Sequence, residues 1–136
     1  MSQYNKPMPP DHPSTRPFWE GARRGVLMLQ RCLDCGSHRF PGTRYCAHCR
    51  GARSACVETS GAGIIESFCT FHKAYWPGFK DEVPYDVVQV RLDEGVRLFS
   101  NLVGVPRDRI RLGMRVRARF EAVTPQLTLV KCSEAQ

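Results

Sequence analysis

Cys32-Leu33-Asp34-Cys35-Gly36 and Cys46-Ala47-His48-Cys49 are two CxxC pairs separated by ten residues, and they decide how this chain folds. A CxxC turn brings two thiolates to one point. Two such turns offer four sulfurs to a single ion at about 2.3 Å each. Gly36 suits the sharp turn that closes the first knuckle, and Gly51 is placed to serve the second similarly. Four thiolates from Cys32, Cys35, Cys46 and Cys49 complete a tetrahedral shell and leave no position for a water, so the metal is expected to be structural. Iron in a rubredoxin-like site would use the same ligands. Zinc suits a structural role better because it brings no redox chemistry. His38 and His48 are expected outside the filled shell, in solvent or supporting the ligands. Cys56, Cys69 and Cys132 have no partner at matching spacing and are expected to be small buried apolar residues.

The rest of the composition agrees with a small, stapled fold. The chain has 136 residues, 42% of them apolar, which allows a modest core that a metal would reinforce. Seven cysteines, an odd number with four in CxxC pairs, favour metal over disulfides in a reducing compartment. No run of 18 or more apolar residues exists, so no membrane span is expected. The polar, proline-rich start lacks the layout of a signal peptide, which makes a cytoplasmic location the expectation. The formal charge of +7 draws anions: nucleic acid, anionic lipid or a phosphate-bearing cofactor. It serves equally to keep a small domain soluble.

Upstream of the cysteines, residues 1–16 read as a flexible or extended arm with four prolines. Pro17 suits the first turn of a short helix over 17–25, which Gly25 ends. So short a helix needs Phe18 or Trp19 docked on something, either this chain or a partner. The zinc ribbon is expected over 26–60, with strands at 26–31 and 53–58. Gly61 and Gly63 then mark a break. Beyond it the chain reads as five strands: 64–71, 85–92, 96–103, 114–122 and 126–131. Asp93-Glu94-Gly95 makes a tight hairpin between the second and third, and residues 107–111 a helical turn. The fourth strand alternates, with Met114, Val116, Ala118 and Phe120 on one side and Arg115, Arg117, Arg119 and Glu121 on the other. Five short strands after a metal module suggest a Greek-key barrel of the OB type over 61–136, and a mainly β protein.

Phe18-Trp19-Glu20-Gly21, Leu29-Gln30-Arg31-Cys32 and Arg39-Phe40-Pro41 resemble the zinc-ribbon/OB-fold family known as domain of unknown function thirty-five. The likeness continues through Leu92-Asp93-Glu94-Gly95-Val96-Arg97-Leu98, Ser100-Asn101-Leu102-Val103 and Ile110-Arg111-Leu112-Gly113-Met114. It runs from residue 14 to about 131. The resemblance implies an N-terminal helical segment, a rubredoxin-like zinc ribbon and a C-terminal five-stranded OB-fold barrel. It also implies a hetero-oligomer with a thiolase-like catalytic subunit. In such a complex the small subunit helps to bind an acyl-CoA, and the partner performs thiolytic, acyl-transfer or retro-aldol chemistry on CoA thioesters.

The residues themselves supply no independent catalytic set. Cys69 and His72 are three apart, which places them on opposite faces of a strand. Asp81 and Glu82 are adjacent, a poor layout for an acid/base pair, and no Walker-type phosphate loop is present. A non-catalytic subunit is the expectation.

The long connection His72–Lys80 is the candidate ligand-facing element. Tyr75, Trp76 and Phe79 could line an acyl channel, stack on adenine, or cap the barrel. Lys73 and Lys80 could meet CoA phosphates. Arg115, Arg117 and Arg119 share a strand face, as a second phosphate site or simply as a solvated face. Phe18 and Trp19 are the candidate partner interface. The competing reading is a nucleic-acid-binding module, because zinc ribbons and OB-folds both serve that role. It needs exposed aromatics on the second and third barrel strands, where only Tyr85 and Phe99 are available.

Overall fold

A computed structural model describes residues 4–135 of the chain. Pro17 sits in the first turn of the only α-helix among these residues, α1 (Arg16–Arg23). Gly25 stops the helix in a left-handed conformation (φ 76°) that its missing side chain permits. The ribbon is a three-stranded antiparallel sheet of order β2-β1-β3, from β1 (Met28–Cys32), β2 (His38–Arg39) and β3 (Ser54–Glu58).

The remaining strands are β4 (Ala62–Phe71), β5 (Tyr85–Leu92), β6 (Arg97–Ser100), β7 (Leu102–Val103), β8 (Arg115–Ala122) and β9 (Thr128–Glu134). They form one sheet of order β6-β5-β4-β8-β9-β7. Its two end strands, β6 and β7, are separated in sequence by Asn101 alone, so the sheet closes on itself. This is the five-stranded OB barrel with its third strand broken in two. The break corrects the expectation of one continuous strand over 96–103. Asn101 causes it with long-range hydrogen bonds: its carbonyl accepts from the Cys132 N–H (3.0 Å) and its side-chain amide donates to the Asp86 carbonyl (2.8 Å). β6 pairs antiparallel with β5, whereas β7 swings over to pair parallel with β9.

A second irregularity reverses a side-chain expectation. β4 and β5 are in register at Ile65↔Val90 and again at Ser67↔Gln89, which leaves Glu66 as an extra residue in a bulge. Beyond the bulge Phe68 pairs with inward-facing Val88, and Cys69 pairs with Val87 on the outer face. Cys69 is therefore exposed rather than buried. Cys56 is exposed too, because on β3 it pairs with Gln30. Cys132 is buried as expected, and burial pushes its thiol up to about 11.

The core is shared by both modules. Ile65, Val88, Val90, Leu92, Leu98, Met114 and Val116 fill the barrel, and Leu27 and Leu29 from the ribbon side belong to the same buried cluster. Phe18 packs against this cluster, with its ring 4.8 Å from Phe40 and 4.9 Å from Trp19 between centroids. The arm, from residue 4 onward, lies extended against the barrel. Lys6 forms an ion pair with Glu82 and sits 4.8 Å over the Phe79 ring. The first three residues of the expected arm lie outside the described residues. Among the described residues no helix is long and apolar enough to cross a membrane.

Candidate functional site

The two CxxC pairs fold into near-identical knuckles. In the first, the Cys32 N–H donates to the Ser37 carbonyl (2.8 Å) and the Gly36 N–H to the Cys32 carbonyl (2.9 Å). In the second, the Cys46 N–H donates to the Gly51 carbonyl (2.9 Å) and the Arg50 N–H to the Cys46 carbonyl (2.8 Å). The fifth residue of each knuckle is left-handed: Gly36 at φ 79° and Arg50 at φ 66°. Gly51 does not take this role, contrary to expectation. It is constrained instead because a Cβ there would meet the Asp34 side chain, which an ion pair with Arg53 holds in place. A left-handed arginine carries roughly 1 kcal/mol of strain that glycine lacks. Arg50→Gly is therefore expected to raise the urea midpoint, by up to about 1 kcal/mol of stability, with zinc content unchanged.

The four Sγ atoms lie within 4.8 Å of one another, with Cys32–Cys49 at 3.5 Å and Cys35–Cys46 at 3.7 Å. A tetrahedron of sulfurs around zinc at about 2.3 Å has edges of about 3.8 Å, so the set fits the ion. The surrounding hydrogen bonds favour thiolates. The Ser37 hydroxyl, then the Cys49 and His48 amides, hold the Cys46 thiol down at about 5. The Cys35 and Asp34 amides lower Cys32 as well. At Cys49 the Gly51 amide pulls downward, but the contact with Cys32, burial and the other two thiols push it up to about 12. Four such thiols can all ionise only around a cation. His38 and His48 stand outside the four-sulfur cluster.

The connection 72–84 is built on an aromatic ladder. Phe79 stacks on Tyr85 (5.4 Å), Tyr85 on Phe71 (5.3 Å), and Phe71 meets Tyr75 edge-on (6.2 Å). Lysines close both ends, Lys6 over Phe79 and Lys73 over Tyr75 (5.2 Å). Phe79 is thus consumed by the scaffold. Tyr75, the end rung, is still 69% exposed, and Trp76 stands outside the ladder at 55%, with Lys80 also in solvent.

Arg115, Arg117 and Arg119 do share the outer face of β8. Arg115 pairs with Asp93 (3.2 Å), whereas Arg117 and Arg119 have no carboxylate partner among the described residues. Arg117 pairs in register with Ala62 at the start of β4, and the aromatic loop leaves the other end of that strand. Nine strand steps separate the two places by roughly 30 Å. The loop lysines and the β8 arginines therefore cannot grip one phosphate group together.

The zinc-ribbon model of ChsH2 ("rubredoxin-like zinc ribbon domain") matches residues 19–54, and its "C-terminal OB-fold domain" model matches 56–121. A "DUF35 domain-containing scaffold protein" of Methanothermobacter thermautotrophicus is 35% identical over 102 residues, 74% of this chain and 76% of that protein. The chain belongs to the DUF35 family. A solved structure named "Ltp2-ChsH2(DUF35) aldolase" contains a chain 34% identical to this one. The two agree with a TM-score of 0.84, over 95% of this chain and all of the other. A "Probable enoyl-CoA hydratase alpha subunit" of Thermomonospora curvata is 40% identical over 113 residues, 82% of this chain but 35% of that protein. The chain thus spans about a third of that relative's length.

Within this DUF35 fold the remaining sequence candidates fall as follows. Phe18 turns inward onto Phe40, and Trp19 is half-buried at the edge of an apolar slot. Cys69 faces outward on β4, and no pairing with His72 occurs among the described hydrogen bonds. One feature was invisible in the sequence. Asp86 gathers the Thr70 hydroxyl (2.7 Å) and the Arg107 guanidinium (2.7 Å) on one carboxylate oxygen. Burial opposes its charge, yet these two donors hold the carboxyl below its usual range. It ties the root of the aromatic loop to the break at Asn101.

Proposed function

We propose that this chain is a non-catalytic accessory subunit of an enzyme complex that acts on CoA thioesters, with a thiolase-like protein as the catalytic partner. One observation carries this reading: the chain matches, over 95% of its length, a DUF35 chain found in an aldolase complex. Among its described hydrogen bonds, the one hydroxyl beside a histidine, Ser14 with His12 (2.7 Å), is an exposed contact within a local turn. The structural zinc supports the same conclusion, since a closed four-sulfur shell has no place for a reacting water. The zinc-bound ribbon acts as a brace between α1 and the barrel. The carbon–carbon chemistry, whether thiolytic, acyl-transfer or retro-aldol, belongs to the partner.

The aromatic loop is the element we assign to the acyl-CoA. Its ladder pre-orders the backbone, so little entropy is lost when Tyr75 and Trp76 engage a ligand. Lys73 and Lys80 flank them as donors for phosphate. The β8 arginines, at the far end of β4, serve a different contact or none. In the co-expressed complex, Trp76→Ala combined with Lys73→Ala is expected to weaken acyl-CoA binding about tenfold or more by calorimetry. Arg117→Gln with Arg119→Gln should leave it within twofold. Unchanged affinity in the loop variant overturns the assignment.

The nucleic-acid reading rests on the +7 charge and on Phe99, which is 74% exposed on β6. Tyr85 on β5 is already stacked between Phe71 and Phe79. One exposed ring on β5 and β6 together does not make a base-stacking platform. A gel shift with single-stranded DNA and RNA beside the calorimetry separates the two readings.

A further inference from the structure

β6 and β9 diverge where the barrel closes, and among the described hydrogen bonds only the one from the Ser100 hydroxyl to the Val130 carbonyl (3.1 Å) bridges them. The gap leaves an apolar slot of about 220 Å³ between α1 and the barrel. Trp19 forms one wall and Phe99 the other, over a floor that includes Leu98 and Val130. Phe99 is the most exposed large apolar side chain among the described residues. Its strand neighbours Leu98 and Ser100 are both buried, so the pleat fixes the ring outward.

The rim is basic. α1 and its cap carry Arg16, Arg23 and Arg24 against one carboxylate, Glu20. Arg16 is neutralised by Asp11, while Arg23, one turn beyond Trp19, has no carboxylate partner among the described residues. On the Phe99 side, Arg91 and Arg97 share the single carboxylate of Glu66 (2.9 and 2.6 Å).

We infer that the Trp19–Phe99 slot is the docking point for the catalytic subunit, and that it receives one apolar side chain (Leu, Met or Phe) projecting from an acidic surface segment of that partner. The inference rests on the accessory-subunit reading. The slot is smaller than the roughly 300–1,000 Å³ of pockets that enclose a whole small molecule, which suits it to one side chain. An aromatic anchor in a desolvated pocket is the usual centre of binding energy at an interface. The surplus of guanidinium groups on α1 and on the outer face of β5 and β6, flanking the slot, selects an acidic approach surface and speeds encounter with it.

The test uses the full-length chain, zinc-loaded, and a thiolase-like protein from the same organism. Phe99→Glu is expected to weaken association by about thirtyfold or more, and Phe99→Ala by about tenfold. Phe99 is in solvent, so both variants should keep the wild-type thermal midpoint and zinc content. Arg23→Glu should slow association several-fold at low salt and flatten its salt dependence. Wild-type affinity in Phe99→Glu overturns the slot alone. No association by the wild-type chain overturns the accessory-subunit reading and the slot with it. Two further outcomes assign the slot to another occupant and overturn the inference. One is a wild-type homodimer that Phe99→Glu dissolves. The other appears in a Trp76→Phe background, where Trp19 is the sole tryptophan: quenching by octanoyl-CoA in the isolated chain that Phe99→Glu removes.

Discussion

Cys32→Ser is expected to release the metal and unfold the ribbon and barrel together. Cys32 is fully buried at the end of β1, and its Sγ lies 3.5 Å from that of Cys49. Serine offers a hydroxyl that stays protonated and binds zinc poorly, so one corner of the tetrahedron is lost. Structural zinc supplies roughly 10–16 kcal/mol of folding free energy in zinc-finger peptides, as much as the roughly 5–15 kcal/mol that holds a whole domain together. The ribbon has few other contacts to fall back on: β2 is two residues long, and the knuckles are turns. Its collapse would not stop at residue 58, because Leu27 and Leu29 share their buried cluster with Ile65 and Val116 of the barrel. Metal analysis should show well under one zinc per chain, and near-ultraviolet dichroism should lose the aromatic signal of the barrel loop. Cys69→Ser is the matched control. That thiol is exposed and outside the cluster, and the variant should keep its zinc and its midpoint. A Cys32→Ser chain that loses zinc yet keeps a native barrel signal would mean the shared core is not needed.

The four-cysteine cluster was legible in the sequence because the constraint is local. Two turns of fixed length must present four sulfurs to one point, and spacing alone reports that. The strands of the barrel were legible for the same reason, through the alternation of Met114, Val116 and their neighbours. What escaped was set by partners far away in the chain. Nothing near Asn101 announces that it will break a strand; the Cys132 amide and the Asp86 carbonyl do that. Nothing near Cys69 announces that Glu66 will bulge and turn the following residues over. The left-handed position in the second knuckle fell on Arg50 because the two knuckles repeat at equal spacing, whereas residue type alone pointed one place further to Gly51. Likewise Phe79, a candidate ligand contact by residue type, is a rung of the ladder, with Tyr85 stacked on its ring and the Lys6 ammonium 4.8 Å from its centroid. The cysteine cluster was thus readable in advance, and the surfaces around it only as candidates.

Leu29→Ala tests whether that metal centre and the barrel are one cooperative unit. Leu29 is 2% exposed on β1, where it pairs with Val57 and joins the barrel cluster. Truncation removes three carbons from a packed site at which a short ribbon strand meets a closed barrel. Neither can move in to fill the space without breaking its own hydrogen bonds. The expected loss is about 3 kcal/mol, near the middle of the range for buried Leu→Ala changes. For a chain of this length that lowers the thermal midpoint by on the order of 10 °C. The sharper expectation concerns coincidence. Zinc release, followed with a chromogenic chelator, and barrel unfolding, followed by tryptophan fluorescence, should shift together and keep a single midpoint. The zinc should also be lost at lower chelator concentration, because binding and folding draw on the same free energy. If zinc release moved and barrel unfolding stayed put, Leu29 would belong to the ribbon alone. In that case the ribbon could hold α1 in place for a partner without bracing the loop that faces the ligand. Coincident transitions mean the opposite: a partner that docks against α1 acts on the same folding unit as the loop carrying Trp76.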